Sequence, residues 1–329
     1  MENFMLNPFS NFELNVAIEL GYLVDAAYNQ FNAKKQKQVW TPEVSGVLKI
    51  DDENEYKILA TYEIHEPYNF LDILDRDIVP FGFIAAKANN IYIVFRGTEN
   101  PLEWFRDGEI RQVPYLENWG KVSFGSQKIY QTISSKILET LNDPNKCAPG
   151  SKIFVTGHSL GGSLASLCVP DIITHTSFQQ PILYTFASPR TGDPTFAQTF
   201  KTSHIECYRI ANSEDIVPNF PVSTLDLPAK KISFLNKFVA FQVTKTQERI
   251  TTTSSSIKSV QTQPVQKNLE VKVETTRGLM SDLNMFKYND TFEHIGIPIY
   301  FTVQKNSIAN NHDLKGTYIQ ALTQDLKVY

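Results

Sequence analysis

The chain has 329 residues, 42% of them hydrophobic and 20% charged, the makeup of a globular protein with enough apolar material for a sizeable core. A net charge of −4 gives no basic footprint for nucleic-acid binding. Three scattered cysteines, Cys147, Cys168 and Cys207, are too few for a disulfide framework or a zinc site and point to a reducing compartment.

The opening stretch MENFMLNPFSNFELN has neither the basic start nor the apolar run of a secretory signal, and no stretch approaches the ~20 apolar residues that span a bilayer. The expectation is a cytoplasmic protein. Ala17, Leu20, Val24, Ala27 and Phe31 recur at helical spacing and predict an amphipathic helix over residues 12–32. PFGFIAAKANNIYIVFRGT, residues 80–98, reads as two strands joined by an Asn-Asn turn. Residues 126–141 read as a helix, and PGSKIFVTG as a turn followed by a buried strand at 153–156. After Ser159 the period changes: Leu160, Leu164 and Leu167 share one face, so a helix begins at the glycines.

PILYTFASPR (181–190) and IECYRIAN (205–212) read as two further buried strands. Strands alternating with helices predict an α/β fold with a mostly parallel central sheet and helices on both faces. Between 228 and 279 the texture shifts to two alternating stretches around a polar tip, which predicts a hairpin-like excursion inserted into one domain spanning 1–329. Residues 229–278 hold nine Lys/Arg against three Glu. Those charges serve either as a solvated face or as an arm for anionic membrane surfaces. FEHIGIPIYFTV (292–303) predicts the last strand, and LKGTYIQALTQ a closing helix.

Residues 157–161 form the pentad Gly-His-Ser-Leu-Gly. By itself a G-x-S-x-G match arises by chance in about one chain in ten of this length, so its position decides its meaning. It sits on a predicted strand-to-helix turn, where a serine projects from the carboxyl edge of a sheet and its neighbours must be small. That makes Ser159 a candidate nucleophile. A serine hydroxyl needs a base, and the base an orienting acid, in the chain order Ser, acid, His. Asp215, in YRIANSEDIVPNFP, is the candidate acid, with the adjacent Glu214 as its alternative. His312 follows the strand segment Ile297–Phe301 and is the candidate base, whereas His294 lies before that segment and reads as structural. His158, beside the nucleophile, reads as pointing the other way, and His65, His175 and His204 have no partner pattern. The backbone N–H of Leu160 and of Thr98, in IVFRGTEN, are the candidate oxyanion donors.

Five blocks in this order, IYIVFRGTEN, VTGHSLGGSLASL, FASPRTGD, YRIANSEDIVP and NHDLKGTYIQAL, resemble the class 3 lipase family, which contains the fungal triacylglycerol lipases. The resemblance covers roughly residues 80–220 and 290–322. It implies an α/β-hydrolase fold, a triad of Ser159, Asp215 and His312, and oxyanion donors at Thr98 and Leu160. It also implies a lid at PLEWFRDGEI, where Leu102, Trp104 and Phe105 form an apolar side. The implied activity is hydrolysis of an acylglycerol or other lipid ester, without metal or organic cofactor, at a membrane or lipid-droplet surface. Phospholipase A1 or soluble-ester esterase activity is the alternative within the same chemistry, and an inactive lipid-binding module the remoter one.

Overall fold

Apolar runs uninterrupted by polar residues have to lie where both faces of a strand are covered. Such runs form the middle of the sheet in the computed structural model, which describes residues 11–65, 78–98, 111–221 and 291–324. The expected excursion over 228–279 and the segment 101–110, with Leu102, Trp104 and Phe105, lie outside these residues. Among the described residues, β1 (Val47–Lys49), β2 (Glu55–His65), β3 (Ile78–Lys87) and β4 (Asn90–Phe95) run antiparallel to one another. β7 (Lys152–His158), β8 (Ile182–Phe186), β9 (Cys207–Asn212) and β10 (Ile297–Phe301) then continue parallel to β4. The order is β1-β2-β3-β4-β7-β8-β9-β10; β5 (Gln112–Pro114) and β6 (Lys121–Ser123) form a separate ribbon.

Parallel neighbours need a crossover, and helices provide it. α1 (Leu14–Lys35) comes first, then the short α2 (Thr41–Ser45). α3 (Phe124–Leu141) lies between β4 and β7, α4 (Leu160–His175) between β7 and β8, and α5 (Pro194–Thr202) between β8 and β9. α5 starts where it does because the Asp193 carboxylate accepts from the Phe196 N–H at 2.8 Å and Pro194 occupies the first helical position. Ala17, Leu20, Val24, Ala27 and Phe31 are all buried, as their spacing predicts. α1 and the C-terminal helical turns cover one face of the sheet, with Phe83, Tyr92, Val94 and Phe186. α3 and α4 cover the other, with Ile129, Ile133, Leu164 and Leu167 against Phe81, Ile93 and Val155. Each fully buried aliphatic or Phe side chain in these layers contributes about 1.5–3 kcal/mol, so the two-faced core fixes the strand register on which the site depends.

Three expectations shift in detail. The β3–β4 turn is formed by Ala88 and Asn89, and the positive φ, 52°, falls on Ala88; Asn90 already pairs with Lys87 as the first residue of β4. β10 begins only at Ile297, because Gly296 turns the chain with a φ of 74° and Glu293 bridges to Gly192 instead. The closing helix opens as a wide π-type turn, Leu314–Ile319, before the regular turn α7 (Gln320–Thr323), which follows the short α6 (Ile308–Asn311). No helix among the described residues is long and apolar enough to cross a membrane.

Cys147, Cys168 and Cys207 are all buried free thiols. Burial pushes the Cys147 thiol up to about 11 and the Cys207 thiol up to about 12, and Cys168 is raised further. Because the thiolate is the reactive form, a chromogenic disulfide reagent should label none of them quickly in the native protein and all of them after unfolding in guanidinium chloride. A fast-reacting thiol in the folded state would contradict this packing.

Candidate active site

Because β4, β7, β8, β9 and β10 are parallel, their carboxyl ends share one edge of the sheet. Thr98, Ser159, Asp215 and His312 follow β4, β7, β9 and β10, so the topology alone delivers all four to that edge. At the end of β7 the chain reverses into α4 through Ser159, whose φ of 57° and ψ of −128° are rare for any residue with a side chain. The reversal is held by the Ser159 N–H donating to the Phe186 carbonyl at 2.9 Å. It is possible only because its flanks are bare. A Cβ on Gly157 would lie 2.2 Å from the Gly161 carbonyl oxygen, and one on Gly161 would lie 2.3 Å from that of Arg96. Ser159 is fully buried, and its Oγ has no hydrogen-bond partner among the described residues. The N–H groups of Leu160 and Gly161, in the first turn of α4, have no intrahelical acceptor and bear its positive dipole end.

Asp215 lies in the turn after β9 and is 1% exposed. Its Oδ1 accepts the Val217 N–H at 3.0 Å. Its Oδ2 accepts two donors at 2.7 Å each, Nδ1 of His312 and the hydroxyl of Tyr318. Tyr318 also accepts the Asn212 N–H at 3.1 Å, so its own proton is free for the carboxylate. Burial first, then the Asp215 charge, raises the Tyr318 hydroxyl well above the ordinary tyrosine range and keeps it a donor. With Nδ1–H committed to Asp215, Nε2 of His312 carries the lone pair. That Nε2 is buried and has no partner among the described residues. A free lone pair on an oriented imidazole and an uncommitted serine hydroxyl are the parts that nucleophilic transfer requires.

The loops carrying acid and base are stitched together. The Asn212 amide donates to the carbonyls of Val303 (2.9 Å) and Asn311 (3.2 Å), and the Asn311 amide donates to that of Glu214 at 3.1 Å. Asp215, not Glu214, meets His312, and His294 lies ahead of β10, at the opposite end of that strand.

Behind Thr98, Arg96 is fully buried with its guanidinium 3.8 Å from the Phe31 ring and 4.6 Å from that of Phe81. It donates to the carbonyls of Pro80 (2.7 Å) and Gly97 (2.6 Å), fixing the turn after β4. That turn lies directly on the elbow, since a Cβ on Gly97 would sit 2.7 Å from Cβ of Ser159. The Thr98 Oγ1 is buried and has no partner among the described residues.

His158 takes up two partners that the sequence reading does not give it. Its ring is buried 4.6 Å from that of His312, its Nδ1 meets the Tyr28 hydroxyl at 2.8 Å, and its Nε2 meets the His312 carbonyl at 2.9 Å. Sequence reasoning alone does not single out Tyr28, Tyr318, Asn212 or Asn311. Tyr318 at least stands within the last family-like block, six residues beyond His312.

Comparison with known proteins adds a second line of observation. Residues 92–225 match the family described as class 3 lipase. The likeness read from the sequence blocks is borne out over that stretch, which takes in Thr98, Ser159, Leu160 and Asp215; His312 lies beyond it. A lipase of Rhizomucor miehei is 38% identical over 139 residues, 41% of this chain and 38% of that protein. Phospholipase A1-II 1 of Oryza sativa subsp. indica is 30% identical over 173 residues, 43% of this chain and 44% of that protein. A solved structure of Rhizomucor miehei triacylglyceride lipase aligns with a TM-score of 0.49 and 27% identity, over 67% of this chain and 77% of that one. The chain spans less than half the length of each of these two curated relatives. The sheet order, the strand-to-helix elbow and the helices on both faces make the described residues an α/β-hydrolase fold.

Proposed function

We propose that this protein is a serine carboxylic-ester hydrolase acting on acylglycerols through an acyl-enzyme. The observation that supports it most directly is the buried Asp215–His312 pair, which leaves one imidazole nitrogen unpartnered at the same sheet edge as the unpartnered hydroxyl of Ser159. In this reading His312 Nε2 takes the proton of Ser159 as Oγ attacks the ester carbonyl. The N–H groups of Thr98 and Leu160 receive the oxyanion, and the Thr98 hydroxyl has no competing partner among the described residues. His312 then protonates the departing alcohol, and water repeats the sequence on the acyl-enzyme. Asp215 accepts from Nδ1 of His312 and stabilises the imidazolium. The substrate is presented at a membrane or droplet surface inside the cell, a setting in keeping with three buried free thiols. The chain acts as one unit, with 228–279 as an insertion.

The likeness to a phospholipase A1 favours one second reading, cleavage of a phospholipid ester by the same residues. Tributyrin titrated through its solubility limit separates the possibilities. A rate that jumps above the limit supports the acylglycerol reading, and smooth saturation below it supports a soluble-ester esterase. No tributyrin turnover, together with fatty-acid release from phosphatidylcholine, would replace the acylglycerol reading with the phospholipase one.

Asp215→Asn should cost about 10⁴-fold in kcat. The two carboxylate oxygens accept three donors, so an amide NH₂ must face either Val217 N–H or the pair from His312 and Tyr318. Either placement sets donor against donor and frees His312 to take the wrong tautomer. Steady-state kinetics on a soluble ester checks this, and a loss below tenfold would remove Asp215 from the role of acid.

A further inference from the structure

One hydroxyl on α1, far from the triad in sequence, touches both halves of the site. Tyr28 lies partly buried under the turn after β4, and its oxygen accepts the Gly97 N–H at 2.9 Å. The same oxygen lies 2.8 Å from Nδ1 of His158, the residue just ahead of Ser159. Having accepted from Gly97, the hydroxyl directs its single proton to His158, which makes Nδ1 an acceptor and leaves the ring proton on Nε2. Nε2–H then donates to the His312 carbonyl at 2.9 Å. Every donor in this line has an acceptor and no proton is counted twice.

The line requires a neutral His158, and the surroundings hold it neutral. Burial, and then the nearby His312, keep the His158 imidazole well below the usual histidine range. The ring is also boxed in. Tyr28 lies 5.8 Å away at 66°, Tyr318 5.9 Å away at 77°, and His312 4.6 Å away on a third side. Another rotamer would abandon both hydrogen bonds inside a core that offers no water to replace them.

The relay ends on the backbone at two functional points. At one end is the peptide N–H of Gly97, whose Cα packs on Ser159 and whose next residue is Thr98. At the other is the carbonyl of His312 itself. We propose that Tyr28 and His158 are positioning residues that hold the oxyanion turn and the base loop at a fixed separation, by a hydrogen-bond relay from Gly97 through Tyr28 and His158 to the His312 backbone. The proposal rests on the hydrolase reading above and adds to it two residues outside the triad. In this role both act through the backbone of the residues that carry the chemistry.

Tyr28→Phe keeps the ring and removes the hydroxyl. In kinetics on a soluble ester, kcat should fall roughly 10- to 100-fold, the scale of a displacement near 1 Å, with KM changed by no more than about twofold. His158→Gln keeps a donor for the His312 carbonyl but has no ring nitrogen in the place of Nδ1 to accept from Tyr28. The double variant should be no worse than the poorer single one, because both break one line; two independent packing defects would multiply instead. A readout independent of turnover comes from imidazole nitrogen NMR of histidine-labelled protein. His158 should carry its proton on Nε2 in the wild type and become a tautomer mixture in Tyr28→Phe.

A kcat within about threefold of wild type in Tyr28→Phe, multiplicative losses in the double variant, or a wild-type His158 protonated on Nδ1 would each overturn the relay. Wild-type protein inert toward every ester class would instead sink the hydrolase reading, and the positioning role with it. The nitrogen spectrum would still read the relay in that case, so the two failures are told apart.

Discussion

Replacing Ser159 with alanine should lower ester hydrolysis by roughly 10⁶-fold, the scale seen when a serine nucleophile is removed from a working triad. The fold should not notice. Oγ has no partner among the described residues, so alanine deletes a hydroxyl that contributes nothing to the hydrogen-bonding of the core, and Cβ keeps its place against Gly97. A rate retained within tenfold would remove Ser159 from the chemistry. Ser159→Gly is the sharper companion. A side chain at φ 57° and ψ −128° costs about 1–3 kcal/mol, and glycine returns part of this in unfolded-chain entropy, about 0.5–1 kcal/mol. The net expectation is an inactive protein more stable by about 1 kcal/mol in denaturant unfolding. A less stable glycine variant would mean that the elbow holds no strain.

The strain and the function share a cause, and that cause is why this part of the molecule is legible in sequence. A hydroxyl can project from the sheet edge only if the chain reverses within one residue, and the reversal forbids side chains at Gly157 and Gly161. Chemistry and sterics therefore write on the same five letters. Asp215 and His312 are legible for a related reason: parallel strands bring the loops at their carboxyl ends to one edge, so chain order predicts convergence without any knowledge of distance. The antiparallel β1 and β2 are not legible in the same way, because β2 lies toward the rim of the sheet, with the mixed burial of EYKILATYEIH, and its pairing with β3 is long-range.

Tyr28 and His158 illustrate the harder limit. Residues 130 apart share a proton only after α1 has docked across β3 and β4, and nothing in a local window marks that tyrosine among the fourteen in the chain. A histidine beside a nucleophile reads as pointing away because strand side chains alternate. It does point to the other side of β7, but that side is where the His312 loop arrives. The pairing of β9 with β10 decides Asn212 and Asn311 in the same way, since their amides join two loops separated by almost a hundred positions. Local pattern finds the groups that do chemistry, whereas the groups that hold them still emerge only from packing.

His312→Ala should lose about as much activity as the serine variant, and His294→Ala should stay within about threefold of wild type. A loss near 10⁶-fold is roughly 8 kcal/mol of barrier. Stability cannot account for it: with His312 gone, Asp215 keeps the Tyr318 hydroxyl and the Val217 N–H, so the cost to folding is that of one lost buried hydrogen bond, about 1–3 kcal/mol. The stability gap is therefore several times smaller than the kinetic one, and measuring kcat and the unfolding midpoint on the same samples separates them. The test has particular weight because the class 3 lipase match ends at residue 225. His312 stands on its hydrogen bond to Asp215 and on the uncommitted Nε2, not on that match. If His294→Ala proved the more damaging substitution, the base would have to reach Ser159 from the amino end of β10. The parallel pairing of β10 with β9 would then have to be wrong, because in this register residues ahead of Ile297 lie a full strand length from the edge that holds Ser159.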